Sequence, residues 1–133
     1  IMGDYVLSDH DVETGARFPD VVVHNAWFLI DIHNPTGGGQ AEGRAAQARR
    51  YDIPYRCLLP AGLDNLLTAG RCISGTHRAH ASYRVMGICL AIGQAAGVAA
   101  GLSAAAGIPP RALPAARVQE ALDRSGTVLF DPG

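Results

Sequence analysis

A long uncharged run from Val85 to Ala106 constrains the fold more than any other feature of this sequence. Gly107 follows it in the position of a helix C′ residue, and two prolines shortly afterwards prevent the helix from continuing. Ser82 stands just before the run and is a residue type that caps helix N-termini. The pattern therefore predicts one long helix that is capped by Ser82 and stops at the glycine.

The same run is long enough to cross a bilayer. Its glycines at positions 93, 97 and 101 also form a small-residue ridge of the kind found in membrane helix pairs. However, alanine and glycine dominate the run, Gln94 lies near its middle, and no tryptophan or lysine flanks it as an anchor. These features favour a helix buried on all sides of a folded domain, and no membrane partner is expected.

The remaining chain reads as short strands, turns and one further helix. An amphipathic helix is predicted from Ala115 to Ser125, with Gly126 as its cap. Residues 8–15 read as a polar turn, and residues 34–50, with a triple glycine, as an exposed flexible loop. Strands are predicted at residues 5–7, 20–32, 51–59, 66–69 and 127–130. The predicted fold class is α/β, in the mixed α+β sense.

Charge and cysteine usage exclude several classes of function. The formal net charge of the 133 residues is -1, so no basic face for nucleic acid is predicted. The three cysteines form no CxxC pair and have no zinc spacing, which is typical of reduced thiols in a cytoplasmic protein. Because the chain begins with Ile1, it is expected to lack its native N-terminus.

The start of the long helix is a physical candidate for a cofactor site. A helix N-terminus offers unpaired N–H groups and a partial positive charge, which suit a phosphate or a flavin ring that becomes anionic. Here a predicted strand ending at Gly70 and a loop rich in glycine, serine, threonine and histidine precede it. This combination is common in α/β folds and does not by itself identify the cofactor.

Three runs within residues 51–100 are more specific: YDIPYRCLLP, DNLLTAGRCISGTH and RVMGICLAIGQAAGVAA. They resemble the C-terminal motifs of the FAD-dependent oxidoreductase family, which has a glutathione-reductase-like flavin fold. The resemblance implies the C-terminal part of a two-domain FAD-binding fold. Residues 1–60 would supply antiparallel strands of the substrate domain, and residues 61–133 the closing strand and helices of the FAD-binding domain. A missing N-terminal half, carrying the Gly-x-Gly-x-x-Gly motif, would then be a partner of this segment.

The resemblance also implies which residues contact FAD. Gly70 would let the backbone approach the cofactor, because it has no Cβ. Arg71 would pair with the pyrophosphate or a carboxylate, or else brace the loop through backbone carbonyls. The resemblance also implies that FAD is contacted at the helix start, beneath its isoalloxazine ring, by Ser82, Arg84, Val85 and Met86.

His77 and His80 are the predicted catalytic residues, in a loop before the helix. An imidazole titrates near neutral pH and can accept or give a proton as hydride moves. The alternative is that both bond loop carbonyls. No third metal ligand has suitable spacing, so no metal is predicted. Asp31 and His33 face a substrate pocket or are polar residues at a strand end, and the second interpretation is favoured.

The full-length protein is therefore predicted to be an FAD-dependent oxidoreductase that transfers hydride to or from an unidentified small-molecule substrate. The isolated chain would be incomplete and inactive. The alternative is a non-catalytic folding or association module, whose exposed apolar surface would favour homo-oligomers.

Overall fold

The computed structural model describes residues 1–34, 36–37 and 48–129. The predicted loop at residues 34–50 therefore lies largely outside the described residues, as does Phe130. Short 3-10 helices cover Tyr55–Leu58, Gly70–Cys72 and Pro110–Ala112. The helices and strands are, in chain order, α1 (Asp9–Thr14), β1 (Val21–Ala26), β2 (Tyr51–Pro54), α2 (His77–Tyr83), α3 (Met86–Ala106) and α4 (Ala115–Arg124).

The centre of the fold is an antiparallel pair of strands covered by helices. β1 and β2 pair from Val21 opposite Pro54 to Ala26 opposite Tyr51, and the register is irregular between these ends. α3 and α4 pack against β1. The mixed α/β class is thereby confirmed. The largest side chains of the core are Tyr51, Tyr83, Leu7, Ile53, Leu58, Ile92 and Leu122.

The polar segment after Leu7 is a helix, α1, and the prediction of a turn was wrong. The Ser8 hydroxyl accepts a hydrogen bond from the backbone N–H of Asp11 at 3.2 Å. The Asp11 carboxylate accepts one from the Ser8 N–H at 2.8 Å, which completes a capping box. Gly15 ends the helix in the left-handed conformation (φ 73°).

Several predicted strands are shorter than expected or absent. β2 ends at Pro54, and a 3-10 helix replaces the rest of the predicted strand at 51–59. Residues 5–7 form only a bridge from Leu7 to Gly75. Residues 66–69 are irregular, because only Thr68 bonds a neighbouring segment, through the Leu58 carbonyl. Residues 127–129 are also irregular.

The prediction of Ser82 as the cap of the long helix was wrong. Ser82 lies inside α2, where its hydroxyl donates to the Phe28 carbonyl at 2.6 Å and lies 3.0 Å from the Tyr51 hydroxyl. Thr76 caps α2 instead, and its hydroxyl accepts from the Ala79 N–H. The chain then leaves helical geometry at Val85 (φ -73°, ψ 150°), which is the N-cap residue of α3.

Tyr83, at the end of α2, anchors this helix through both its ring and its hydroxyl. Its hydroxyl donates to the Ile73 carbonyl at 3.2 Å. Gly75 makes the packing possible, because a Cβ there would lie 2.7 Å from the ring atom Cε1 of Tyr83. The Tyr83 ring thus fixes α2 against the chain that precedes it.

α3 ends where predicted but begins at Met86 rather than just after Ser82, and it is not buried on all sides. Ile88, Ile92, Ala95, Ala96 and Ala99 are buried, whereas the opposite face is exposed, with Met86 77% and Leu90 74% accessible. A Cβ at any of its glycines would meet nothing within 4 Å. The helix is long and apolar enough to cross a membrane, although core helices of folded domains also pass that test.

A buried carboxylate, Asp52, ties β1 to β2 and to the residues after α1. Its Oδ1 accepts from the guanidinium of Arg17 at 2.7 Å and the backbone N–H of Asn25 at 3.2 Å, and it lies 2.8 Å from Nδ1 of His24. The side chain of Asp52 is only 4% exposed. Asn25 adopts a positive φ of 55° at this point, which asparagine tolerates better than most residues.

Replacing Asp52 by alanine is expected to lower the free energy of unfolding by about 3 kcal/mol, because buried donors lose their charged acceptor. Urea unfolding followed by circular dichroism measures the change. Asp123→Ala, at an exposed position on α4, is the matched control and should change stability by less than about 0.5 kcal/mol. Equal effects of the two substitutions would contradict a structural role for Asp52.

Alkaline pH is expected to destabilise the fold through its buried tyrosines. Burial raises the pKa of Tyr51 from 10.0 to about 12. The neutral phenol is favoured in the folded state, so this contribution is complete below pH 10 and is lost as pH rises towards 12. Two pKa units correspond to about 2.7 kcal/mol. Urea unfolding at several values of pH should show this fall, and Tyr51→Phe should show a smaller one; identical slopes would exclude Tyr51 as a cause.

Candidate functional site

Two cavities lie on either side of the junction between α2 and α3. The first, called here the histidine cleft, has a volume of about 270 Å³. The second, the α3 pocket, has a volume of about 430 Å³. The histidine cleft is lined by Asp31, Ile32, His33, His77, His80, Ala81 and Arg84. The α3 pocket is lined by Arg71, Met86, Cys89 and Leu90.

α2 presents its polar side chains to the histidine cleft. His77 and His80 are one helical turn apart and therefore lie on the same face, with Arg84 a further turn along. The expectation of a loop here was wrong, since Thr76 starts a helix before both histidines. The helix fixes the two imidazoles relative to each other more firmly than a loop would.

The opposite wall of the cleft comes from the chain after β1. The guanidinium of Arg84 donates to the Asp31 carbonyl at 3.0 Å and to its carboxylate at 3.3 Å. The same carboxylate lies 2.9 Å from Nε2 of His33. Asp31 and His33 thus line the cleft, and the choice between substrate-pocket and strand-end polar residues stays a prediction.

The surroundings of His80 favour its neutral form. Burial lowers the pKa of His80, and the positive charges of Arg84, His77 and Arg71 lower it further. Its ring packs edge-on against Tyr83, with ring centroids 5.2 Å apart. A neutral imidazole can accept a proton, which is what a general base requires.

The α3 pocket combines an open helix N-terminus with an exposed apolar surface. Val85 supplies no side-chain cap, and the first backbone bond of α3 runs from the Cys89 N–H to the Val85 carbonyl. The N–H groups of the first turn therefore have no intrahelical acceptor. Met86 and Leu90 are exposed beside them, and Gly87 leaves open space. Such a surface suits a flat ring with an anionic edge.

Arg71 links the two cavities. Its Nε donates to the Arg84 carbonyl at 3.1 Å, while its side chain lines the α3 pocket. Gly70 before it has a φ of 59°, and a Cβ at this position would meet only the Cβ of Cys89, at 3.9 Å. The observed bond corresponds to the bracing alternative for Arg71, but only one of its nitrogens is engaged in this way.

The structure thus gathers most of the residues that the sequence singled out, in two groups. The three that line neither cavity are Gly70, Val85 and Ser82, and Ser82 is fully buried. Tyr55 and Arg56, in the first of the three motif runs, line neither of these cavities and hold other segments in place. The Tyr55 hydroxyl donates to the Pro110 carbonyl at 2.9 Å, and Arg56 forms a two-pronged ion pair with Asp20.

The described residues around the two cavities favour neither metal binding nor thiol catalysis. Among residues 1–34, 36–37 and 48–129, no three histidine, cysteine or acidic side chains are grouped so as to hold a metal ion. Cys89 lies beside the α3 pocket, and burial raises the pKa of its thiol, which disfavours the nucleophilic thiolate.

Comparison with protein families identifies the family of this chain. The family model described as FAD dependent oxidoreductase matches residues 1–122, which include every residue of both cavities. The chain belongs to the FAD-dependent oxidoreductase family. No curated protein and no solved structure matches it. FAD is the cofactor of this family, and the open N-terminus of α3 fits it. The alternative of a non-catalytic association module receives no support.

Replacing Arg84 by glutamine is expected to raise the pKa of His80 towards 6.5, because one of the positive charges that lower it is removed. Long-range ¹H–¹⁵N NMR spectra recorded against pH measure this value directly. Arg117→Gln, at an exposed position on α4, serves as the control and should leave the His80 titration unchanged. A His80 pKa that is identical in the wild type and in Arg84→Gln would contradict the described electrostatics.

Proposed function

We propose that this oxidoreductase moves hydride between FAD at the α3 pocket and a small substrate in the histidine cleft. The observation that carries the proposal is the adjacency of the two cavities. They share the α2–α3 junction, where Arg71 bonds the Arg84 carbonyl. One cavity has an apolar surface at an open helix N-terminus, and the other holds polar side chains suited to proton transfer.

The first turn of α3 has an electrostatic role in this proposal. FAD, when bound, accepts hydride from a substrate carbon or returns it. The unpaired N–H groups after Val85 stabilise negative charge at the edge of a ring placed against them. A ring bound there would cover the exposed side chains of Met86 and Leu90, and the exclusion of water from this surface would strengthen that interaction.

His80 takes the proton in the proposed reaction. When hydride leaves a carbon that carries a hydroxyl or amine, the proton of that group must go to a base. His80 accepts it because burial and positive neighbours keep its imidazole neutral near pH 7. His77 lies on the same face of α2, at the exposed side of the cleft, and passes the proton to solvent.

Flavin binding by the protein tests the first part of the proposal. Gly87→Val should lower the affinity for FAD at least tenfold, because it fills open space at the start of α3 without meeting another group within the described fold. Equilibrium dialysis with FAD absorbance measures this affinity.

Gly101→Val is the matched control for that experiment. It adds the same side chain to the same helix, also in open space but far from its N-terminus. FAD affinity should stay within about twofold of the wild type. Equal losses of FAD affinity for both variants would exclude the α3 pocket as the flavin site, whereas a protein that takes up no FAD would mean that this segment alone does not carry the proposed function.

A further inference from the structure

The polar side chains that line the histidine cleft are three histidines, one arginine and one carboxylate. Its one carboxylate, that of Asp31, already receives the Arg84 guanidinium at 3.3 Å and lies 2.9 Å from Nε2 of His33. Asp31 therefore has little capacity left for a cationic ligand. Its main effect is to hold Arg84 and His33 in fixed orientations at the wall of the cleft.

The two imidazoles of α2 are available to a ligand. Within the described part of the chain, neither His77 nor His80 makes a side-chain hydrogen bond. Instead, His80 has only its edge-on ring contact with Tyr83, and both residues line the cleft. A neutral imidazole carries one N–H donor, and a protonated one carries two. Both rings therefore offer donors to whatever occupies this space.

Two arginines lie at or beside the same space: Arg84 lines the histidine cleft, and Arg71 lines the neighbouring α3 pocket. Arg84 has one of its terminal nitrogens engaged by Asp31, and Arg71 is held by its Nε on the Arg84 carbonyl. The terminal nitrogens of Arg71 find no acceptor among the described residues. The lowered pKa of His80, caused by burial and then by Arg84, His77 and Arg71, is consistent with a positive potential there.

We propose that the histidine cleft binds the carboxylate of a small organic acid, and that such acids are the substrate class of this oxidoreductase. Arginine donors in a fixed fork match the two oxygens of a carboxylate, and the imidazoles complete its hydrogen bonds. The volume of about 270 Å³ limits the ligand to a small molecule. The assignment as a substrate rests on the proposed function, whereas the binding of the anion does not.

Inorganic phosphate could satisfy the same donors, so the experiment compares the two anions. Malonate and phosphate are titrated separately into the protein by isothermal titration calorimetry at about pH 7. Malonate should bind more tightly than phosphate. It should also shift the imidazole resonances of His77 and His80 in NMR spectra and leave those of the exposed His10 in place.

Arg84→Gln should weaken malonate binding at least tenfold, because a charge-assisted hydrogen bond is lost. Arg117→Gln on α4 is the matched control and should bind malonate as the wild type does. If Arg84→Gln fails to fold, His77→Gln is used instead, because its exposed side chain bears little on the packing of α2.

The outcomes separate this inference from the proposed function. Undiminished malonate binding by both site variants, or no binding at all, would overturn the carboxylate site. Tighter binding of phosphate than of malonate would overturn the choice of carboxylate. FAD affinity is measured in parallel. Malonate binding without FAD binding would overturn the proposed function alone. FAD binding without malonate binding would overturn the proposed substrate class alone.

Discussion

The break between α2 and α3 is the constraint on which the rest of this structure depends. Buried hydroxyl groups fix the end of α2: Ser82 donates to the Phe28 carbonyl, and Tyr83 donates to the Ile73 carbonyl. These bonds hold the end of α2 in place just before the chain leaves helical geometry. The chain turns at Val85 and begins α3 with N–H groups that no side chain caps. The two cavities lie on either side of this turn.

The electrostatics of the two cavities follow from the same turn. Arg84, the C-cap residue that follows α2, is held by Asp31 on one side, and its carbonyl accepts a hydrogen bond from Arg71 on the other. The positive charges therefore stand between the histidine cleft and the N-terminus of α3. Such an arrangement keeps His80 neutral and favours negative charge in both cavities. A flavoenzyme requires both conditions if it binds an anionic ring and removes a proton nearby.

Sequence signals that depend only on neighbouring residues predicted the structure correctly. Gly107 ends α3 in the left-handed conformation, and α4 covers the predicted amphipathic segment. The capping box of Ser8 and Asp11 was equally local and could have been recognised. Ser82 shows the opposite case. It has the residue type of a cap, but its hydroxyl bonds the distant Phe28 carbonyl, and that contact depends on how the chain folds.

The sequence by itself determined the family, the mixed α/β class, the long apolar helix and the placing of two histidines one turn apart, because each depends on motifs or on neighbours within a few turns of chain. The catalytic role of these histidines stays a prediction. The division of the chain into two domains stays a prediction. Only the tertiary structure brought Asp31 to Arg84, across 53 positions, and left one face of α3 open. The spacing of apolar residues shows which face of a helix or strand is apolar. Which segment covers that face depends on where distant parts of the chain pack.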